Sequence, residues 1–488
     1  MSLGRKATEG TLLSIGAAFG DRIIGFLVFA LVVRYVEARE VGLVALCAQF
    51  VDLANAVATS GLGERVMQRR SLDPRVTATL FWTHALISLP VMLLLAALGP
   101  LLAWFLEEPL LQPLLLILSA SLMLNVFVTV PAGLLAREMR YRPITLLSVL
   151  STLVGGAVAL TLAFTGYGLW ALALQRVAGV GFYALGTMVV TRYWPILAFD
   201  HSEFREAVRF ALPLMGSQAL IALPGVVTMT AIGRNLGVEA VGQLRIAQRL
   251  SELMVQLVIS PVMRVFIPVF SAMSDNRERL RDMLRRVIDA LALPVLPMFA
   301  VAAVVAGPLT RLAFGPGWDV SASLFQILSL AAPLVVVSTV TWPALVGIGR
   351  TGDVFRLKLF EVVITVAVAL AASPFGVFAY VWASIGRAAV QLIANAWLLG
   401  RAADQRTTSP LMQLIAPAAA SASGFAGGHW LVAPFLPPMH PVLTLAALGA
   451  ASGAVAALVL ALLAWSRLKE LVLFVWRNVS PAARGAPA

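Results

Sequence analysis

Charged side chains are scarce in this sequence. Asp, Glu, Lys and Arg make up 12% of its 488 residues, whereas soluble globular proteins carry about 25%. Apolar residues make up 60%, and the mean hydropathy is +0.90. So few charges cannot cover a water-facing surface. The composition therefore excludes a soluble enzyme, a nucleic-acid-binding protein and a receptor with a single membrane anchor.

Cysteine and histidine are also rare. The one cysteine, Cys47, lies in an apolar run, so no internal disulfide can form and no redox compartment can be inferred. Four histidines and one cysteine offer no cluster of metal ligands. The cytoplasmic segments contain no glycine-rich nucleotide-binding loop, so ATP-driven chemistry is not expected. We therefore expect neither a metal nor any other cofactor.

Long apolar runs are abundant. A membrane-spanning helix needs about 20 apolar residues, and such runs between charges or turn residues predict an all-α, polytopic membrane protein with about 14 transmembrane helices. The predicted spans are 10–33, 41–63, 77–103, 110–136, 143–165, 168–190, 210–233, 240–263, 290–310, 320–347, 359–374, 376–398, 411–431 and 441–465. Arg5 and Lys6 precede the first span, which is too long for a signal peptide and is read as retained.

The cations predict the orientation of these spans. Lys and Arg number 36 against 24 Asp and Glu, for a net charge of +12, and 33 of the 36 cations are Arg. With the N-terminus inside, 26 cations fall in inside segments and only four, Arg34, Arg39, Arg234 and Arg311, fall outside. This asymmetry follows the positive-inside rule. It predicts cytoplasmic N- and C-termini and explains most of the basic charge without a nucleic-acid partner.

One inside loop, residues 275–289, has a helical pattern of its own. Its apolar residues recur at i, i+3, i+4, i+7 and i+8 between arginines; they are Leu280, Met283, Leu284, Val287 and Ile288. This pattern is typical of a basic amphipathic helix. We expect it to lie on the cytoplasmic membrane surface as a connector, or less readily to bind a partner.

Two segments that are 200 residues apart resemble each other. Val41-Gly42 begins one segment and Val241-Gly242 begins the other, and each carries an acidic residue at the same depth, Asp52 and Glu252. Six predicted spans separate the copies, so both have the same orientation. We predict two pseudo-symmetric six-helix bundles, residues 1–200 and 201–400, with a site between them. Residues 401–488 then form two additional spans and a cytoplasmic tail.

Six cations belong to neither the inside nor the outside loops: Arg22, Arg176, Arg245, Arg249, Arg264 and Arg387. Of these, Arg264 follows directly on a predicted span, where a long side chain can reach the cytoplasmic surface. A charge at mid-membrane costs at least about 2.5–3.5 kcal/mol, so such residues face protein or water. Most belong to polar stripes at helical spacing. The stripes are Gln49, Asp52, Asn55 and Thr59; Arg245, Arg249, Glu252, Gln256, Ser260 and Arg264; and Ser384, Arg387, Gln391 and Asn395.

Two interpretations of these charges are open. In the first, they are ion pairs that join helices, such as Asp21 with Arg22 or Arg249 with Glu252. In the second, they line a hydrated cavity for an anion, since six cations face only three nearby acids, Asp21, Asp52 and Glu252. The guanidinium fork suits a phosphate or carboxylate. The three acids could couple proton or sodium entry to transport, or serve as helix-pairing counter-ions.

The order of short motifs resembles that of a known family. The motifs include Val41-Gly42-Leu43, Ser60-Gly61-Leu62-Gly63-Glu64, Gln68-Arg69-Arg70, Val130-Pro131-Ala132-Gly133, Gly166-Tyr167-Gly168-Leu169-Trp170, Gly233-Arg234-Asn235-Leu236-Gly237, Ile267-Pro268-Val269-Phe270 and Gly347-Ile348-Gly349-Arg350. Together they resemble the Wzx-type, colanic-acid-exporter-like polysaccharide flippases of the multidrug/oligosaccharidyl-lipid/polysaccharide exporter superfamily. The likeness spans most of the chain.

The resemblance implies a function and a site. Members of such families alternate between inward-open and outward-open states and move undecaprenyl-diphosphate-linked oligosaccharides to the periplasmic face of the bacterial inner membrane. The implied diphosphate site is Arg22, Arg176, Arg245, Arg249 and Arg387, and the ion-coupling candidates are Asp21, Asp52 and Glu252. The expected partners are the lipid-linked substrate, the bilayer, a polysaccharide polymerase and a chain-length regulator. We expect a monomer that is not an enzyme.

Other functions remain open at this stage. A flippase for the peptidoglycan precursor, lipid II, shares the diphosphate and hence the arginine cavity. A drug antiporter of the same superfamily would favour an acidic cavity. A polysaccharide polymerase is the enzymatic alternative, although the outside loops are short and hold few acids. A scaffold that does not transport is a fourth possibility.

Overall fold

The computed structural model describes residues 20–69, 73–271, 277–435 and 440–479, with side chains except at 257, 258, 260–271, 277 and 471–479. Every long regular element in these ranges is an α-helix, as the all-α prediction requires. The helices are α1 (20–33), α2 (Ala38–Thr59), α3 (Leu62–Gln68), α4 (Pro74–Phe105), α5 (Leu111–Arg137), α6 (Tyr141–Phe164), α7 (Gly168–Thr191), α8 (His201–Leu236), α9 (Val238–Ser271), α10 (Arg277–Val304), α11 (Ala306–Phe314), α12 (Asp319–Leu330), α13 (Pro333–Gly347), α14 (Thr351–Ala372), α15 (Val377–Ala402), α16 (Thr408–Ala426) and α17 (Pro441–Val479).

Many of the described helices have the length and composition of membrane helices. Nine helical segments are long and apolar enough to cross a bilayer, and the bent pair of α12 and α13 makes a tenth. The helix α9 is not among the nine; it carries four charged residues between 239 and 252. The chain is therefore a multi-pass membrane protein, and the total of fourteen spans stays a prediction.

Local sequence sets several of the helix ends. At the start of α4, the Asp73 side chain accepts a hydrogen bond from the Arg75 backbone N–H, and Pro74 occupies the first turn. At the end of α8, Gly237 adopts a positive φ of 84°, a conformation that favours glycine. Both breaks lie where charge distribution predicts a loop.

The helices pack into two compact units. The first comprises Met1–Arg245 and Ala369–Val377, and the second comprises Ile246–Val368 and Phe378–Ala488. In the first unit, α6 packs on α7, α4 on α5, and α2 on both α5 and α8. In the second, α10 is central and packs on α12, α13, α16 and α17. The boundary at 245 separates two groups of helices that pack together, whereas the predicted boundary at 200 separates two copies of a sequence repeat. The predicted division into residues 1–200, 201–400 and 401–488 stays a prediction.

The predicted amphipathic helix is present in part but lies elsewhere than expected. Its described residues belong to the first half of α10, and the apolar side chains Leu280, Leu284 and Val287 are almost wholly buried. They belong to one hydrophobic cluster with Val336 and Val340 of α13. The predicted position on the membrane surface is therefore wrong, because protein rather than lipid covers the apolar face.

The predicted span 320–347 is broken. The helices α12 and α13 meet at an angle of 60° around Ala331 and Ala332. Pro333 stands at the first position of α13, where it has no N–H to continue the hydrogen bonding of α12. The apolar run predicts one continuous span, and the break corrects this prediction.

The repeated segments touch each other through glycine. A Cβ atom built on Gly42 would lie 1.8 Å from the Val238 carbonyl oxygen, and one built on Gly242 would lie 1.9 Å from the Ala38 carbonyl oxygen. Replacing each residue by its counterpart 200 positions away converts one contact into the other, since Gly42 corresponds to Gly242 and Ala38 to Val238. Contacts across a two-fold interface are reciprocal in the same way. The two matched glycines thus lie at one close crossing of α2 and α9, and the repeat of two bundles stays a prediction.

We expect the substitution Gly42→Ala to destabilise the protein. Alanine normally stabilises a helix interior relative to glycine by about 0.5–1 kcal/mol, but here the new methyl group overlaps the backbone of α9. The forced separation should cost about 1–3 kcal/mol, measured as a lower thermal unfolding midpoint in detergent.

The matched control is Gly216→Ala in α8. Among the described residues, nothing lies within 4 Å of a Cβ atom built on Gly216, so this variant should be as stable as the parent or slightly more so. Equal midpoints for both variants would contradict the close crossing.

Candidate functional site

The polar stripe of α2 faces other helices of the first unit. Asp52 accepts a hydrogen bond from the Arg176 guanidinium of α7. Asn55 accepts one from the Asn125 Nδ2 of α5 at 3.1 Å, and Gln49 lies against Gly225 of α8. The Thr59 hydroxyl donates to the Asn55 carbonyl of α2 itself, whereas the other three of the four stripe residues each contact a different helix. This is the protein-facing position predicted for the stripe.

The structure brings together two residues whose predicted roles are separate. Arg176 was predicted to bind the substrate and Asp52 to couple ions, yet the two side chains form one ion pair. Their side chains are 28% and 53% exposed within the described molecule. A pair that is open to this extent can exchange partners, because neither charge is enclosed by protein.

Asp21 has partners that the sequence reading missed. Its two carboxylate oxygens accept hydrogen bonds from the Ser148 hydroxyl at 2.7 Å and the Thr152 hydroxyl at 2.6 Å, both on α6. Ser148 and Thr152 are four residues apart and so share one face of α6. In the sequence, only the four-residue spacing of these two hydroxyl residues within an apolar span indicates that they could bind one polar group together. The neighbouring Arg22 is half-buried and also has interactions.

The stripe of α9 contains a second pair. The Arg249 Nη1 lies 3.7 Å from a Glu252 carboxylate oxygen, and both side chains are partly exposed. This distance is longer than that of a hydrogen-bonded ion pair. Arg245, on the same face, is half-buried and also has interactions. The side chain of Arg264 lies outside the described residues.

Arg387 differs from the two paired arginines. Its Nη1 donates a hydrogen bond to the Gln391 Oε1 at 2.6 Å, one turn later on α15. Among the described residues, no carboxylate lies within ion-pair distance of it. Gln391 in turn accepts a bond at its backbone carbonyl from Asn395, whose amide also reaches Ser338 of α13 at 3.1 Å. Arg387 is therefore held by a neutral amide, and its charge is not compensated by a described acid.

A cavity of about 180 Å³ lies beside Arg387 within the second unit. Its walls come from α9, α10, the break between α12 and α13, and α15. The polar residues in its lining are Ser251, Ser384 and Arg387, and the remaining walls are apolar. The site thus combines one cationic group with a hydrocarbon surface.

Two of the cations predicted to lie outside, Arg39 and Arg234, are paired with acids of the loop between α4 and α5. Arg39 binds Glu108 through two nitrogens, at 3.2 and 2.5 Å. Arg234 binds Glu107 at 2.8 Å and also lies over the Phe105 ring. The loop between α4 and α5 therefore ties the start of α2 to the end of α8. Such exposed pairs fix geometry but contribute little stability.

A buried acid joins α8 to α3 in the first unit. Glu203 of α8 is 2% exposed and accepts hydrogen bonds from Arg65 and Arg69. Arg65 also binds Glu206, which is 59% exposed. The pairs connect residues more than 130 positions apart, so no local pattern in the sequence could indicate them.

The connector between α7 and α8 carries two groups with shifted pKa values. Burial raises the pKa of Tyr193 to about 12, and its hydroxyl donates to the Thr77 carbonyl at 3.0 Å. At the start of α8, hydrogen bonds from the Ser202 hydroxyl and from the N–H groups of Ser202 and Glu203 lower the pKa of Asp200. Neither group changes charge near neutral pH, so this connector holds one protonation state.

Comparison with known proteins decides the family. A family model described as polysaccharide biosynthesis protein matches residues 31–323, more than half of the chain. The chain belongs to this family. This agrees with the resemblance drawn from the short motifs.

Relatives in this family are transport and biosynthesis proteins. The succinoglycan biosynthesis transport protein ExoT of Rhizobium meliloti is 27% identical over 80% of this chain and 79% of its own length. The lipopolysaccharide biosynthesis protein WzxC of Escherichia coli is 22% identical over 74% of each chain. This chain is therefore similar over most of its length to proteins named for polysaccharide biosynthesis, one of them a transport protein.

Solved structures share the fold. The lipid II flippase MurJ, in an inward closed conformation, has a TM-score of 0.75 at 14% identity, covering 96% of this chain and 99% of that chain. A multidrug resistance MATE family transporter in an inward-facing conformation has a TM-score of 0.63 at 16% identity, covering 80% and 96%. At these identities the likeness concerns the fold alone, which is that of a multi-helix membrane transporter.

We expect the substitution Glu203→Gln to destabilise the protein more than Glu206→Gln does. Losing the buried carboxylate removes the hydrogen-bonded ion pair of Arg69 and leaves Arg65 with the exposed Glu206 alone. Because both arginines are partly exposed, the loss of these charge-assisted hydrogen bonds should cost about 1.5–3 kcal/mol. The exposed Glu206 should contribute only about 0–1 kcal/mol. Thermal unfolding of the two purified variants measures the difference, and similar losses would contradict the role assigned to the buried acid.

Proposed function

We propose that this protein is a flippase. It moves undecaprenyl-diphosphate-linked oligosaccharide repeat units from the cytoplasmic to the periplasmic face by alternating access, for exopolysaccharide or lipopolysaccharide assembly. The family and the names of its relatives support a role in polymer export, and the transporter fold supports movement rather than bond formation.

The observation that carries this proposal is Arg387. It is a cation in a membrane helix, and no described carboxylate compensates its charge. Such a charge is costly in hydrocarbon unless an anion or water reaches it. The guanidinium offers planar, bidentate hydrogen bonding that matches phosphate oxygens. We assign Arg387 the role of binding the diphosphate, together with Arg22, Arg176, Arg245 and Arg249.

The two paired arginines suggest how binding is coupled to an ion. A diphosphate carries more negative charge than one carboxylate, so it competes for Arg176 against Asp52 and for Arg249 against Glu252. Each acid that loses its cation then gains affinity for a proton or a sodium ion. Substrate binding and ion uptake are thereby linked through an exchange of partners.

Asp21 offers a separate ion site. Its carboxylate and the hydroxyl oxygens of Ser148 and Thr152 converge within hydrogen-bond distance. Oxygen ligands of this kind suit hard cations. We propose that Asp21 takes up a proton or a sodium ion. To bind a sodium ion, the two hydroxyl groups would rotate so that their oxygen lone pairs, rather than their hydrogens, point towards it.

The setting follows from the charge distribution. Twenty-six cations on one side against four on the other support cytoplasmic termini in a bacterial inner membrane. In this setting the protein works as a monomer with no enzymatic step of its own. It passes its substrate to a polysaccharide polymerase and a chain-length regulator.

We expect Arg387→Gln to abolish flipping while the protein still inserts at the normal level. The experiment reconstitutes the protein in vesicles with a fluorescent undecaprenyl-diphosphate-linked oligosaccharide and measures the fraction that becomes accessible on the opposite face. Polymer export in a strain that depends on this protein gives a second measurement.

Arg401→Gln is the matched control. Arg401 lies at the end of the same helix, exposed and over the Trp397 ring, so its loss should leave flipping unchanged. Normal flipping by Arg387→Gln would reject the diphosphate site. Flipping of lipid II in preference to the polysaccharide precursor would assign the protein to the cell-wall pathway instead.

The exchange of partners predicts how Asp52 and Arg176 respond to a charge swap. The double variant Asp52→Arg, Arg176→Asp restores an ion pair between the two helices, so protein level should recover relative to either single variant. Flipping should stay low, because the cation has moved from α7 to α2. Asp52→Asn alone should also change the dependence of flipping on the proton or sodium gradient, and Glu252→Gln should do the same.

Recovery of flipping in the double variant would mean that the pair only joins helices. An unchanged gradient dependence in Asp52→Asn and Glu252→Gln would likewise leave these acids as helix-pairing residues.

A further inference from the structure

The cavity beside Arg387 has a specific chemical character. Two of its three polar residues, Ser251 and Ser384, direct their hydroxyls at their own helices, donating to the carbonyls of Ala247 and Val381. Their hydrogens are thus already engaged. The remaining walls are hydrocarbon, with Phe299 and Val295 on one side and Ala388 next to the arginine. The cavity therefore suits an apolar group joined directly to an anion.

The break between α12 and α13 borders this space. Ala331 and Ala332, at the break, are among its lining residues. They lie twelve and thirteen residues after the start of α12, and Arg387 lies ten residues after the start of α15. At 1.5 Å per residue these positions are about 15–20 Å along their helices, near the centre of a hydrocarbon core of about 30 Å.

The volume limits the size of the apolar group. An aliphatic cavity of about 150 Å³ accommodates one benzene molecule, so a cavity of about 180 Å³ accommodates five or six carbon atoms. A single isoprene unit has five. A whole polyprenyl chain does not fit, and a sugar would leave its hydroxyls without partners among the apolar walls.

We propose that this cavity binds the isoprene unit next to the diphosphate of the carrier lipid, while Arg387 binds the diphosphate itself. This inference rests on the proposed flippase function and extends it to the recognition of the lipid. In a prenyl diphosphate the hydrocarbon begins directly at the phosphate ester oxygen. In a phospholipid, the polar glycerol and its esters separate the phosphate from the acyl chains. The closeness of Arg387 to the apolar wall favours the prenyl carrier.

Binding of soluble probes to the full-length protein in phosphatidylcholine nanodiscs tests the proposal. The probes are isopentenyl diphosphate, which carries one five-carbon unit, and inorganic diphosphate. We expect the first to bind at least tenfold more tightly, because it alone fills the cavity. Ala388→Leu should remove this difference in affinity while the affinity for inorganic diphosphate stays unchanged. Arg387→Gln should lower the affinity for both probes.

Ala389→Leu is the control for Ala388→Leu. It adds the same side chain to the next position of α15, which does not line the cavity, so both affinities should stay at parental values. Unchanged binding of inorganic diphosphate by Ala388→Leu also shows that this variant is folded. A short-chain phosphatidic acid, dihexanoyl phosphatidic acid, should compete poorly against isopentenyl diphosphate.

Three results would overturn the proposal: equal affinities for the two diphosphates in the parent, equal weakening of both by Ala388→Leu, or equally strong competition by the phosphatidic acid. Failure of the flippase function has a different outcome. In that case the parent would not move lipid-linked oligosaccharide in vesicles, whatever the affinities in nanodiscs.

Discussion

A positive charge in hydrocarbon is costly, and the described packing is arranged around this cost. Arg176 is paired with Asp52, Arg249 lies near Glu252, and Arg387 is held by Gln391. Because these groups must face protein or water, we expect the polar stripes of α2 and α15, and the described part of the α9 stripe, to turn away from lipid. Large apolar side chains elsewhere, such as Leu93 and Trp382, are correspondingly exposed on the described surface, where lipid solvates them.

The sequence predicted those features that depend on local composition and spacing. Apolar runs located the helices, and polar residues at intervals of three or four located the inward faces. The match between Gly42 and Gly242 was a weak pattern as sequence, but their reciprocal contact gives it a physical meaning. The same reasoning failed for the first half of α10. Periodicity identifies an apolar face, yet it cannot tell whether lipid or another helix covers it.

The partners within the site could not be predicted in the same way. Asp52 and Arg176 were recognised as unusual residues, but their pairing joins positions 124 residues apart. Asp21 is bound by hydroxyls 127 and 131 residues away, and Glu203 by arginines at least 134 residues away. Such contacts follow from which helices are neighbours, which composition does not specify. The break at Ala331 and Ala332 was similarly hidden, since an alanine pair before Pro333 does not interrupt the hydropathy of the run.

The polar stripe of α15 also bears on how the chain enters the membrane. An arginine at a helix centre opposes insertion by about 2.5–3.5 kcal/mol, while each strongly apolar residue favours it by about 0.3–0.6 kcal/mol. Arg387, Gln391 and Asn395 together therefore weaken the insertion of α15 as a single helix. Asn395 bonds to Ser338 of α13, a helix that the ribosome completes some fifty residues earlier. During biosynthesis α13 is therefore already in the bilayer when α15 enters, and it can accept the polar contact of α15. The order of synthesis thus assists the insertion of a helix that is poorly suited to insert alone.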